Sequence, residues 1–165
     1  VVIRVIFLIL VATVHCSGIP KRSGQSVCRA DHNLRDDLLN GINEFRRQNG
    51  LPSFTHNERL TLLAADRIVQ FFGKSEFYDG QIAPPLRWLE SHGYPALSVG
   101  ENVLKILPTP FEEISTELIL RTWTGRTKER LNLLDPDYRQ IGFEMKSDSK
   151  ECYAILFFAD GTREE

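Results

Sequence analysis

The stretch CYAILFFA, Cys152 to Ala159, runs eight residues without a charged side chain. A strand with one face in water alternates apolar and polar residues, so this continuous run reads as a strand covered on both faces. The segment before it behaves differently. In QIGFEMK, Ile141, Phe143 and Met145 alternate with Gly142, Glu144 and Lys146, the pattern of a half-exposed strand. Asp148 and Ser149 supply the turn between the two, which predicts a hairpin.

Upstream the period changes to that of a helix. Leu34, Leu38, Ile42 and Phe45 line one face of a helix that ends at Asn49-Gly50, with Pro52 forbidding its continuation. Thr55 and Glu58 stand at capping-box spacing ahead of Leu60, Leu63, Ala64, Ile68 and Phe71, a second helix stopped by Gly73. Pro84-Pro85 opens a short third helix through Leu86 and Leu89, closed at Gly93. Thr109, Pro110 and Glu112 predict the start of a fourth, carried by Phe111, Ile114, Leu118 and Trp123. Helices first and a small, mostly antiparallel sheet later make an α+β domain with helices packed on the sheet. The length of 165 residues suits one such domain.

The N-terminus is apolar from Val5 to Val14 behind Arg4. Ten residues are too few to cross a bilayer, which takes about 20. They fit the apolar region of a secretory signal cut before Ser17. We therefore expect a signal peptide at 1–16, a polar leader at 17–30 and the domain at 31–161, in an extracellular protein with no stable membrane span. Cleavage removes Cys16 and leaves Cys28 and Cys152, an even pair in an oxidising compartment. A bridge between them is the expectation, two unrelated buried thiols the alternative. The absence of CxxC excludes a zinc site built of cysteines. A net charge of −2, with no Lys/Arg run longer than two, argues against nucleic acid as a partner.

One acid stands out. In SVGENVLKI, residues 98–106, Glu101 and Asn102 interrupt a buried extended stretch, where an unpaired carboxylate is costly. The reading we favour has Glu101 satisfying backbone donors of a loop around Gly100, with Asn102 closing the turn into a strand.

Taken in order, Asn43 and Arg46, Gly50-Leu51, Gly93-Tyr94, Gly100-Glu101-Asn102, Trp123, and Asp135-Pro136-Asp137-Tyr138 with Ile141-Gly142 resemble the CAP superfamily. That is the group of cysteine-rich secretory proteins, antigen 5 and pathogenesis-related-1 proteins (SCP domains), and the spacing is nearest its compact bacterial form. The resemblance covers about residues 34–161. It implies a three-layer α-β-α sandwich.

The resemblance also implies a cleft with two histidines and two acids, in which the histidines hold a divalent metal. Glu101 corresponds to one acid. The two histidine positions fall on Glu76 and Glu129, so both are acidic in this chain. Three carboxylates without imidazole suit zinc poorly; a weak calcium site fits such donors better. We expect no cofactor and no metal ligands, with Glu76 and Glu129 as surface acids that Arg126 or Arg130 could pair. None of the histidines restores the site. His15 leaves with the signal, His32 precedes the first helix, His56 reads as a packing or capping residue, and His92 ends the third helix.

A nucleophile with a base in reach is missing, so no catalytic residue is assigned. Glu101 is the sole candidate should the chain prove an acid/base or metal-dependent hydrolase. The favoured expectation is a secreted, non-enzymatic binding module for sterol, fatty acid or a protein partner. Glu101, Asn102, Glu76, Glu129, Phe72 and Tyr78 are its candidate cleft residues. Phe71, Phe72, Phe77 and Tyr78 line a groove or pack in the core. A third reading places the function in loops such as residues 73–85.

Overall fold

The computed structural model describes residues 32–73, 82–106, 114–147 and 151–160. Its elements run α1 (His32–Gln48), β1 (Thr55–His56), α2 (Glu58–Val69), α3 (Pro85–Ser91), β2 (Val99–Ile106), α4 (Thr116–Gly125), α5 (Thr127–Leu134), β3 (Gln140–Ser147) and β4 (Cys152–Ala159). The four strands form one sheet in the order β1-β3-β4-β2. Both β3 and β2 pair antiparallel with β4, and only β1 is parallel to its neighbour. The fold is α+β with a mostly antiparallel sheet, as the residue pattern predicted.

All of β4 is buried, because its alternate side chains feed two separate cores. Cys152, Ala154, Leu156 and Phe158 join α1, α4 and α5 through Leu38, Ile42, Ile119, Trp123 and Leu133. Tyr153, Ile155, Phe157 and Ala159 join α2 and α3 through Leu60, Ala64, Ile68 and Leu89. Helices on both faces of the sheet thus account for the unbroken apolar run.

The predicted half-exposed character of β3 does not hold. Gly142 and Glu144 are buried along with Ile141 and Phe143. A Cβ at Gly142 would come within 2.3 Å of the α2 backbone at Leu60 and Thr61. The bare glycine is what lets α2 lie directly on the strand. Glu144 is taken up by Arg35 of α1, 2.5 Å away.

Three helix ends follow the sequence: Gly50, Gly73 and Gly93 all adopt positive φ, the region glycine enters at least cost. Two helix starts differ from it. The α2 cap is Asn57, whose side chain accepts from the Leu60 N–H. Thr55 is instead drawn into β1 by pairing with Gln140. The α4 cap is Ser115, accepting from the Leu118 N–H. Ile114 precedes that helix, and the expected cap residues 109–112 lie outside the described residues, as do Asp148 and Ser149 of the expected turn.

Candidate functional site

Glu101 and Asn102 are consecutive residues of β2, opposite Phe157 and Leu156 of β4. Side chains of a strand alternate between its faces, so the two point to different helical layers. This corrects the reading of a loop and a turn at Gly100-Glu101-Asn102: all three lie within the strand.

On the α2 side, the Glu101 carboxylate meets Arg67. Arg67 Nε donates to Oε1 at 2.9 Å and Nη2 lies 3.3 Å from Oε2. The side chains are 0% and 1% exposed. Nη2 also donates to the Ala83 carbonyl at 2.8 Å and Nη1 to Gln70 Oε1 at 3.3 Å. The guanidinium carbon sits 5.4 Å from the ring centroids of both Phe71 and Trp88. A cation enclosed by two aromatic rings and a fork-shaped carboxylate contact is a fully engaged group. One side chain therefore ties α2, the approach to α3 and β2 together.

On the opposite face Asn102 binds α5. Its Nδ2 donates to the Glu129 carbonyl at 3.0 Å, and Asn132 Nδ2 donates to Asn102 Oδ1 at 2.8 Å. Glu129 thus reaches the site through its backbone. Its carboxylate is 20% exposed and lies 3.6 Å from the half-exposed Arg126, an i,i+3 contact, so the expected surface acid is mostly covered. Gly100 has the Tyr138 ring 3.0 Å from where a Cβ would stand, and Tyr138 stacks on Phe158 at 5.6 Å.

Two more motif positions prove structural. Asn43 exchanges hydrogen bonds with the backbone of Phe54, 3.1 and 2.8 Å. Arg46 is 0% exposed. It donates to the carbonyls of Pro52, Leu133 and Asp135 and lies over the Phe54 ring at 3.7 Å. Burial lowers its pKa from the usual arginine value.

The remaining candidates divide. Phe72 is partly buried and meets the Tyr153 ring edge-on at 5.5 Å, beside Phe71 stacked on the same ring at 6.1 Å. Glu76, Phe77, Tyr78 and Cys28 lie outside the described residues; Cys152 is fully buried at the start of β4. His56 Nε2 contacts Thr61 Oγ1 at 2.8 Å. His92 caps α3, its Nδ1 2.8 Å from the Trp88 carbonyl. Among the described residues, no three His, Cys, Asp or Glu side chains group where an ion could be held.

The residue that sequence reasoning missed is Arg67. Its signal was available: it stands seven after Leu60 and four after Leu63, on the buried stripe of α2. A charge on an apolar stripe needs a buried partner.

Comparison with known proteins agrees with this geometry. The profile of the cysteine-rich secretory protein (CAP) family matches residues 39–159, and the chain belongs to that family. No curated protein matches it. An outer surface protein from Borrelia burgdorferi superposes with a TM-score of 0.68 at 13% identity, covering 83% of this chain and 98% of its own. A cysteine-rich secretory protein from Staphylococcus aureus gives 0.59 at 20% identity, over 78% of this chain but only 38% of its own. A protein solved with Zn2+ bound gives 0.57 at 11% identity, over 90% and 92%. At these identities the likeness is one of fold. No helix among the described residues is long and apolar enough to cross a membrane.

Proposed function

We propose that the chain is an exported, non-enzymatic CAP-type binding module in which the cleft acid serves as scaffold instead of metal or substrate ligand. The observation that carries this reading is the Arg67–Glu101 pair. A carboxylate with both oxygens held on a buried guanidinium is already committed to a partner inside the protein. A zinc ion like the one in the zinc-bound structural neighbour would meet a carboxylate at Glu129 in place of an imidazole. Export is supported by the N-terminal apolar run and by membership of a family of secretory proteins. A Cys28–Cys152 bridge belongs to the same proposal, and intact-mass analysis before and after reduction tests it.

For the ligand, the groove between α1 and α4 offers more than the end of α2, where Phe72 is already occupied with Tyr153. The groove encloses about 750 Å3 beside Leu34, Gly41, Ile114 and Leu120. It continues past Phe45 and Leu120 for about 420 Å3 more. Its apolar side chains and Arg121 at the far end suit the chain and carboxylate of a fatty acid, while Asn33, Asp37, Ser115, Thr116 and Glu117 form the polar half of the lining. Gly41 keeps it open, since a Cβ there would stand 3.1 Å from Leu120 Cδ2.

The test is titration of a fluorescent fatty acid, with a labelled sterol in parallel, with and without chelator. We expect saturable fatty-acid binding that survives chelation and Phe72→Ala but is lost in Gly41→Leu. Binding that chelator abolishes would overturn the metal-free reading. No binding of either lipid would turn the search to protein partners.

A further inference from the structure

We propose that a cavity between α1 and the outer edge of β3 is a binding site for a small neutral molecule, an apolar ring bearing one carbonyl acceptor. It lies apart from both the Arg67–Glu101 pair and the α1–α4 groove, and does not depend on the function proposed for either. Strand β1 pairs with β3 only at Gln140 and Ile141. Beyond that point α1 faces the edge of β3 across a space of about 270 Å3. An apolar cavity of roughly 150 Å3 already accepts benzene, so one ring with a short substituent fits.

The apolar wall is Leu38, Ile42, Ile141, Phe143 and Leu156, all nearly inaccessible to solvent. The polar wall is Arg35, Asp36, His56 and Glu58. Arg35 gives Nη2 to Glu144 Oε2 at 2.5 Å, but its Nε is buried without a hydrogen-bond partner among the described residues. A buried donor left open is costly and unusual in a folded protein. It asks for an acceptor.

The charges around it select which kind. Asp36, Glu58 and the Glu144 carboxylate outnumber Arg35, so an anionic head group meets repulsion. An ammonium head group suits the acids but has no lone pair for the Arg35 Nε–H. A neutral carbonyl satisfies the donor and meets no opposing charge. Acetophenone, benzoate and benzylamine share one ring and differ in that head group, which makes them the probes.

The experiment follows the Arg35 Nε–H resonance of the full chain by 15N–1H NMR during titration with each probe. We expect acetophenone to shift it saturably, with benzoate and benzylamine weaker by about tenfold or more, the worth of a hydrogen bond to a charged donor. Arg35→Lys keeps a cation for Glu144 but removes Nε and should weaken acetophenone by a similar factor. Leu39→Phe, which narrows the cavity, should abolish binding. Equal binding of the three probes, or no shift at millimolar acetophenone, would overturn the proposal. The wild-type resonance decides the matter even should Arg35→Lys fail to fold.

Discussion

The Arg67 guanidinium lies along both carboxylate oxygens of Glu101, 2.9 Å from Oε1 and 3.3 Å from Oε2, with neither side chain more than 1% exposed. Breaking such a pair strands a charge in the interior. Glu101→Gln or Arg67→Met alone should each cost about 3–5 kcal/mol. The melting midpoint should fall by roughly 10 °C. The double variant Arg67→Met with Glu101→Leu removes both charges and should recover most of that loss. Thermal melts of the three variants measure this directly, and equal losses in single and double variants would contradict the coupling.

Asn102 and Asn132 form the corresponding link on the other face of the sheet. Asn132→Ala leaves the fully buried Asn102 side chain without its donor at 2.8 Å. The expected loss is about 1–3 kcal/mol. It should be accompanied by faster amide exchange in α5, because this link anchors a helix whose only buried side chain is Leu133. Unchanged exchange in α5 would count against that role.

Gly142→Ala introduces a methyl where the α2 backbone stands 2.3 Å away. Backbone cannot step aside as a flexible side chain does, so the substitution should cost about 3 kcal/mol or more. Gly125→Ala meets nothing within 4 Å and serves as the control, expected to be neutral or slightly stabilising. Denaturant unfolding of both variants gives the comparison.

Lys105 and Glu151, 2.5 Å apart, set a pH window. The hydrogen bond to Lys105 lowers the Glu151 pKa from 4.5. Its contribution is present above the ordinary carboxylate range and is lost as pH falls through the lowered folded value. The hydrogen bond to Glu151 raises the Lys105 pKa from 10.5. That contribution is complete below the ordinary lysine value and is lost as pH rises through the raised one. Melting midpoints of wild type and Glu151→Gln should therefore differ most at intermediate pH and converge at strongly acid pH. A constant difference across the acid range would contradict this.

What could be read from the sequence was whatever obeys a local period. Leu38 and Ile42 of α1, Leu60, Ala64 and Ile68 of α2, and the whole of β4 fall where their spacing put them. What escaped was set by tertiary partners. Thr55 and His56 are exposed and have no strand pattern of their own; they form β1 only because Gln140 and Ile141 lie beside them. Helix α5 carries Lys128, Glu129 and Arg130 around a single buried leucine, so no apolar stripe announces it. Gly142 and Glu144 mimic a wet strand face, yet one is bare to admit a helix and the other is consumed by Arg35. Glu101 was legible as an anomaly. Its answer lay 34 residues away on another element.

The measurement that bears most directly on the central claim is calorimetric titration of the chain with zinc and with calcium, for wild type and Arg67→Met. With Glu101 committed to Arg67, wild type should give no saturable heat with either ion. Stoichiometric binding to wild type that disappears in Glu101→Gln would contradict the claim and return Glu101 to the role of a metal ligand.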